Sequence, residues 1–203
     1  MPKKVTSIIL AGGKNLRHGR NKAFEVIRGK TIIDRVFERL EPISRQIVVV
    51  TSWAQFDIEL SLNADVVADI YPDMGPLGGI YTGLTASTSD INIIAACDMP
   101  FLNTELLEYM VDILAGYDAV VPRLANEMIE PLHAVYSKSC LSLIDERLAT
   151  KKLSIHAFLD EVNVRYLDEE ESRKIDPEII SFFNINYQTD LDKALKMAEE
   201  YEM

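Results

Sequence analysis

The chain has 203 residues, enough to bury a sizeable core, and its 48% hydrophobic and 26% charged residues are typical of a soluble globular domain. Its net charge of −11 argues against a general nucleic-acid-binding protein. Because the sequence lacks an apolar run of about 20 residues, a signal-peptide cleavage site and clustered cysteines, we expect a cytoplasmic protein with no membrane or nucleic-acid partner.

Strand and helix patterns alternate along the chain, with no repeat or linker between them, so we expect one domain over residues 1–203. The predicted strands are Val5–Leu10, Gln46–Thr51, Asp65–Ala68, Asn92–Cys97, Asp118–Val121, Leu132–Tyr136, Val162–Leu167 and Phe182–Ile185. The predicted helices are Thr31–Leu40, Phe56–Leu62, Gly79–Ala86, Thr104–Leu114, Ser139–Leu148, Ser154–Leu159 and Thr189–Tyr201. This alternation predicts an α/β fold in which a mostly parallel sheet carries helices on both faces.

The first predicted strand runs into Gly12 and Gly13, and a series of cations follows, namely Lys14, Arg17, Arg20 and Lys22. Glycines allow a ligand to approach the main chain, exposed amides face an anion, and cations neutralise it, so this pattern is typical of a phosphate-binding loop. Residues 1–30 hold eight cationic side chains and one acidic side chain, which suits a nucleoside triphosphate. The alternative is a strand followed by a solvated basic turn.

The loop is of neither common phosphate-binding type. A P-loop requires a Ser or Thr after its Gly-Lys pair, and no such residue follows Gly13-Lys14. The glycines also do not have the spacing of a dinucleotide fingerprint.

Two acidic residues follow later strands. Asp69 precedes a loop with three glycines, where the main chain could lie against a ring or ribose while the carboxylate accepts hydrogen bonds from the ligand. Asp98 precedes Pro100, and a carboxylate fixed at a strand end is a natural ligand for Mg²⁺. The alternatives are a loop of ordinary turn residues for Asp69, and a turn or helix-capping residue for Asp98.

Three further polar residues have two interpretations each. Asn184 and Asn186, after the last predicted strand, could reach a metal or substrate, and Asn186 could instead cap the final helix. His133 alternates with apolar neighbours, which favours a hydrogen-bonded structural histidine over a catalytic one.

Together these motifs resemble the molybdenum cofactor guanylyltransferases, in order and over nearly the whole chain. The residues that carry the resemblance are Leu10-Ala11-Gly12-Gly13, Arg17, Gly19, Lys22, Asp69, Gly75-Pro76-Leu77-Gly78-Gly79, Cys97-Asp98-Met99-Pro100 and Asn184-Ile185-Asn186. The resemblance implies a three-layer, Rossmann-like nucleotidyltransferase fold. It also implies transfer of GMP from MgGTP to the phosphate of molybdenum-molybdopterin, with release of pyrophosphate.

The resemblance also implies the roles of individual residues. The nucleotide-binding residues would be Leu10, Ala11, Gly12, Gly13, Lys22, Asp69, Gly78 and Asp98. Arg17, Lys22 and Asp98 would be catalytic, and Asp98 would hold Mg²⁺, with Asn186 as a second candidate ligand.

Several alternatives stay open. They are cytidylyl transfer to the same cofactor, guanylyl transfer to another phosphorylated acceptor, and a nucleotide-binding accessory protein without turnover. GTP and molybdenum-molybdopterin are the expected small-molecule partners. Proteins that deliver or accept the cofactor are further candidates.

Overall fold

A computed structural model of the chain describes residues 5–12, 16–17, 20–52 and 63–201. For residues 16–17, 20–22 and 201 it describes the main chain only. The predicted helix over 56–62 and the predicted site residue Gly13 lie outside the described residues, as does Gly19.

Eleven strands are present in the part of the chain that the structure describes. They are β1 (Val5–Leu10), β2 (Leu16–Arg17), β3 (Arg20–Asn21), β4 (Val26–Ile27), β5 (Lys30–Thr31), β6 (Gln46–Thr51), β7 (Asp65–Ala68), β8 (Ile91–Ala96), β9 (Ala119–Arg123), β10 (His133–Ser137) and β11 (Val164–Asp168). The described part of the chain also forms the helices α1 (Ile32–Leu40), α2 (Gly75–Ala86), α3 (Thr104–Asp112), α4 (Leu141–Ala149), α5 (Ile155–Leu159), α6 (Glu169–Ser172) and α7 (Gln188–Tyr201).

Seven of these strands form the central sheet, in the order β11-β9-β10-β8-β1-β6-β7. β10 runs antiparallel to both of its neighbours, and the other pairs are parallel, which confirms the predicted mostly parallel sheet. The chain leaves β1 through β6 and β7 on one side and then returns to β8 on the other side. The point between β1 and β8 is therefore a topological switch point, where open α/β sheets bind their ligands.

Successive side chains of the central strands point to opposite faces of the sheet, and helices cover both faces. Ile9 and Ala95 pack with α1 and α3 on one face. Ile8 and Ile94 pack with α2, α4 and α5 on the other face. This arrangement confirms the predicted three layers. The last helix, α7, lies apart from the sheet, in a small apolar cluster that includes Ile27 of β4.

Two predicted elements differ from the structure by more than two residues at an end. Helix α2 begins at Gly75 rather than at Gly79, because Pro76 lies in its first turn, where a missing N–H costs nothing. The predicted strand Phe182–Ile185 is wrong. Residues Ile180–Phe182 form a 3₁₀ turn, and no strand is assigned to the described residues that follow it; the Ile185 N–H donates to the Asp98 carbonyl in the turn after β8. No helix among the described residues is both long enough and apolar enough to span a bilayer.

Candidate active site

The parallel strands β1, β6, β7 and β8 end at one edge of the sheet, which we call the carboxyl edge and which is formed by Leu10, Thr51, Ala68 and Ala96. Main-chain hydrogen bonds continue beyond these ends. The Ala11 N–H donates to the Val50 carbonyl at 2.8 Å, and the Cys97 N–H donates to the Leu10 carbonyl at 3.2 Å. The loop that leaves β1 is therefore fixed between β6 and the turn that carries Asp98.

Gly12 lies exposed on this loop. Among the described residues other than its chain neighbours, the atom nearest to a Cβ at Gly12 would be the Ser52 nitrogen at 3.8 Å, an ordinary van der Waals distance. Packing against these residues therefore does not require a glycine at this position. A glycine at position 12 instead allows a ligand to approach the main chain closely.

Asp69 is fixed at the end of β7. Its N–H donates to the Thr51 carbonyl at 2.8 Å. Its Oδ1 accepts from the Tyr71 N–H at 3.0 Å and contacts the Thr82 hydroxyl at 2.9 Å. Among the described residues none donates to Oδ2, so this oxygen can accept a hydrogen bond from a ligand.

Gly78 has a structural reason to be glycine. It is buried in the first turns of α2, where a Cβ would lie 2.7 Å from the Tyr71 carbonyl oxygen. Backbone atoms cannot yield at that distance, so the glycine permits α2 to pack against the loop that follows Asp69. A nucleotide contact at Gly78 stays a prediction.

Asp98 lies half-buried in the turn after β8. It is not a helix cap, because α3 is capped by Asn103, whose side chain accepts from the Leu106 N–H at 3.0 Å. The Asp98 carbonyl accepts from the Ile185 N–H at 3.0 Å. Since Asn184 and Asn186 flank Ile185, this bond brings the predicted Asn184–Asn186 motif to Asp98.

The start of α7 is capped by Asp190. Its carboxylate accepts from the Asn186 and Tyr187 N–H groups at 3.0 Å and 2.8 Å. Capping of α7 by the Asn186 side chain stays a prediction.

Glu130 is a further acidic group at the carboxyl edge, and the sequence interpretation did not include it. It lies half-buried just before β10. Burial, and then the negative charge of Asp98, raise the pKa of the Glu130 carboxyl above its ordinary value. The two acids are therefore close enough to interact.

The structure describes only the main chain of Arg17 and Lys22. Arg17 pairs with Arg20 in the β2–β3 ribbon, and Lys22 begins a 3₁₀ turn. The next residue, Ala23, is buried in the core layer that also contains Ala11 and Cys97. This contact brings the main chain at Lys22 towards the carboxyl edge, while the roles of both side chains stay predictions.

His133 is fully buried and connects β10 to the segment that carries Ile185. Its Nε2 lies 3.3 Å from the Ser181 hydroxyl, and its ring centroid is 4.6 Å from that of Phe182. Ser181 also accepts from the Asn103 N–H at 2.9 Å. These contacts agree with a structural histidine that positions the Asn184–Asn186 motif.

The stability of the protein should depend on pH through His133. Burial lowers its pKa from 6.5 to about 3, so the folded protein keeps it neutral while the unfolded chain protonates it near pH 6.5. Protons then favour the unfolded state between these two values, and stability falls as pH falls through this window. Between about pH 7.5 and about pH 5, we expect the free energy of unfolding to drop by about 2 kcal/mol more in the parent than in a His133→Gln variant.

Urea denaturation of both chains at the two pH values measures this difference. His156→Gln, at an exposed histidine, is the matched control and should keep the pH dependence of the parent. Equal pH dependence in the parent and the His133→Gln variant would contradict a neutral, buried His133.

A cavity of about 680 Å³ lies at the opposite edge of the sheet, where its lining includes Val5, Ile91 and Ser137. It contains none of the predicted site residues. Cavity volume therefore does not identify the candidate site, whereas the strand ends and the switch point do.

Comparisons with known proteins agree with this geometry. Residues 7–165 match the MobA-like NTP transferase domain. The chain is 38% identical over 192 residues to a molybdenum cofactor guanylyltransferase of Desulfosudis oleivorans, covering 94% of each chain. It is 36% identical over 196 residues to a probable molybdenum cofactor guanylyltransferase of Pelotomaculum thermopropionicum, covering 97% of this chain and 94% of the relative.

A solved structure is similar over the same length. It is the molybdopterin-guanine dinucleotide biosynthesis protein A of Archaeoglobus fulgidus, which superposes with a TM-score of 0.83 at 32% identity. The match covers 96% of this chain and 99% of that protein.

Proposed function

Because the chain belongs to the family with the MobA-like NTP transferase domain, and is a nucleotidyltransferase, we propose that it transfers GMP from GTP to the phosphate of molybdenum-molybdopterin. Pyrophosphate is the second product. The observation that carries the proposal is the near-full-length similarity to a guanylyltransferase, combined with a glycine loop and two acids at the same edge of the sheet. We propose that the reaction takes place in the cytoplasm, with cofactor-delivering and cofactor-accepting proteins as further partners.

GTP would lie across the carboxyl edge. The main chain of Leu10, Ala11 and Gly12 would line the nucleotide site, with Gly13 beside them. Asp69 follows β7, which lies three strands away from β8 in the sheet. Because neighbouring strands lie about 4.8 Å apart, the site is wide enough for an extended nucleotide. The Oδ2 of Asp69 would accept a hydrogen bond from the guanosine, close to Gly78.

The side chains of Asp98 and Asn186 suit a divalent cation. Its carboxylate, together with the amide oxygen of Asn186, offers the hard oxygen ligands that Mg²⁺ prefers. When bound, Mg²⁺ would neutralise part of the triphosphate charge and stabilise the charge that develops at the α-phosphate.

The cationic side chains would bring two anions together. The acceptor phosphate is already a nucleophile, so the transfer needs no dedicated general base. Two unit charges 4 Å apart repel each other by about 4 kcal/mol at an effective dielectric constant of about 20. Lys22 on the phosphates and Arg17 near them would offset this repulsion, so that positioning and electrostatics supply most of the rate.

Pyrophosphate release with each of the four nucleoside triphosphates, with and without molybdenum-molybdopterin, tests this function. We expect turnover only when the cofactor is present, and turnover with GTP at least about tenfold faster than with CTP, a difference of about 1.4 kcal/mol in the barrier. Faster turnover with CTP would make the protein a cytidylyltransferase. GTP binding without pyrophosphate release would make it an accessory protein.

A further inference from the structure

The turn that carries Asp98 connects β8 to α3 over residues 97–103, without a strand or helix of its own. The main-chain polar groups of such a turn need hydrogen-bond partners from outside it. Five of its seven residues are buried, namely Cys97, Met99, Pro100, Phe101 and Leu102. The position of Asp98 therefore depends on what packs against this turn.

Three contacts join this turn to the segment 181–185. They are the Asn103 N–H with the Ser181 hydroxyl at 2.9 Å, the Phe101 ring with the Phe183 ring at 6.1 Å between centroids, and the Ile185 N–H with the Asp98 carbonyl at 3.0 Å. The contacts follow each other in opposite directions along the two chain segments, which therefore run antiparallel. The segment 181–185 supports the turn at both ends and in the middle.

Ser181 connects this segment to the rest of the fold. It is fully buried, and its hydroxyl, which accepts from the Asn103 N–H, also lies 3.3 Å from His133 Nε2 on β10. Its N–H donates to Asp176 Oδ2 at 2.9 Å, and Asp176 is buried too. A single hydroxyl therefore joins β10, the N-cap of α3 and the segment 181–185.

The chain enters this segment through an unfavourable main-chain conformation. Ile179, directly before the 3₁₀ turn, has φ +56° and ψ +28°, which is the left-handed region. β-branched residues rarely adopt this region, and such strain persists only where surrounding contacts determine it. Since the local sequence does not favour this entry, the contacts at Ser181 and beyond fix the segment.

We propose that Ser181 is a positioning residue for Asp98, acting through the segment 181–185. This inference rests on the proposed function, in which the Asp98 carboxylate holds a divalent cation. Without the Ser181 hydroxyl, the Asn103 N–H loses its acceptor and the turn loses one of its hydrogen bonds to the segment. The Asp98 carboxylate then occupies a wider range of positions, and a displacement of about 1 Å can cost up to about a hundredfold in rate.

Binding of Mn²⁺ alone, followed by the electron paramagnetic resonance signal of the free ion, tests the assignment without any turnover. We expect Ser181→Ala to weaken Mn²⁺ binding about tenfold, as loss of a group that orients a metal ligand does. Ser89→Ala is the matched control. Ser89 is also buried and its hydroxyl accepts from the Thr6 hydroxyl at 2.9 Å, but it precedes the other end of β8. This variant should bind Mn²⁺ as the parent does.

Pyrophosphate release gives a second measurement. In Ser181→Ala, kcat at a fixed Mg²⁺ concentration should fall about tenfold, and the Mg²⁺ concentration that gives half the maximal rate should rise. The KM for GTP should stay within about twofold of the parent value, because Asp69 and the loop after β1 lie on other strands. A smaller folded fraction would lower the rate but would not change its dependence on Mg²⁺.

Phe183→Leu tests the same support at its middle contact. It removes the ring that packs on Phe101 but keeps an apolar side chain, and it should also weaken Mn²⁺ binding. This variant decides the question if circular dichroism shows that Ser181→Ala does not fold. Parent-like Mn²⁺ binding by a folded Ser181→Ala chain, or an equal loss in Ser89→Ala, would overturn the proposal. Parent-like binding by Phe183→Leu, or a parent chain that binds no Mn²⁺, would overturn it too.

Failure of this proposal can be distinguished from failure of the proposed function. A parent chain that binds Mn²⁺ more tightly than Ser181→Ala but releases no pyrophosphate would contradict the function only. A parent that transfers GMP, with a folded Ser181→Ala variant that binds Mn²⁺ normally, would overturn the role of Ser181 only.

Discussion

Replacing Asp98 with asparagine should lower the rate of GMP transfer about a thousandfold, the upper end of the loss seen when one charge-stabilising group is removed from an active site. The asparagine keeps the size of the side chain but loses the negative charge that would hold a divalent cation. The contact of this turn with Ile185 uses the Asp98 carbonyl, so the fold should be retained. Pyrophosphate release at saturating GTP and circular dichroism measure the two effects.

Asp90→Asn is the matched control for this experiment. Asp90 is an exposed aspartate that precedes the other end of the same strand, β8, so the substitution makes the same change in charge away from the carboxyl edge. It should keep the parent rate. Full activity in Asp98→Asn, or an equal loss in both variants, would contradict the role assigned to Asp98.

The position of Asp98 could be predicted because the strand before it ends in an apolar run, Ile93–Cys97, and the end of such a run marks the edge of a parallel sheet. The same signal located Asp69 and the loop after Leu10. Glu130 gave no such signal. It lies at the carboxyl edge because β10 is antiparallel to β8, and the direction of a strand depends on how the chain returns to the sheet, which a hydrophobic pattern does not show.

The fold could be predicted best where packing on both faces demands β-branched and apolar residues. The bounds of β1 and β6, whose residues are almost all buried, match the predicted ones for this reason. The prediction failed at Phe182–Ile185, although apolar and polar residues alternate over residues 183–185 as in a strand. Its buried side chains enter two different clusters, with Phe182 in the core layer of α1 and α3 and Ile185 in the cluster of α7. Tertiary contacts thus determine this segment.

The predicted helix α2 is too short, since the glycines in its first turns look like loop residues. Two of its glycines, Gly79 and Gly83, are glycines because the helix packs very close to the central strand β1. A Cβ at Gly79 would lie 3.3 Å from Leu10 Cδ2, and a Cβ at Gly83 would lie 2.3 Å from Ile8 Cγ2. A sequence pattern cannot distinguish a glycine required by close packing from one required by a turn.

Gly83→Ala should therefore destabilise the protein by about 2 kcal/mol, although alanine is the better helix former by up to about 1 kcal/mol. The new methyl group would overlap Ile8, which is fully buried at the centre of the sheet. Its Cγ2 is attached to a β-branched carbon with few alternative rotamers, so the strand or the helix must shift. Urea denaturation measures the change in the free energy of unfolding.

Gly79→Ala provides the control, because its closest contact is the end of a flexible leucine side chain, and its stability should stay within about 1 kcal/mol of the parent. Ile8→Ala tests the cause, since it removes the methyl group that Gly83→Ala would meet. In a double-mutant cycle, Gly83→Ala should cost at least about 1 kcal/mol less in the Ile8→Ala background than in the parent. A Gly83→Ala chain as stable as the parent would show that α2 and β1 are not in the close contact that positions the Leu10–Gly12 loop.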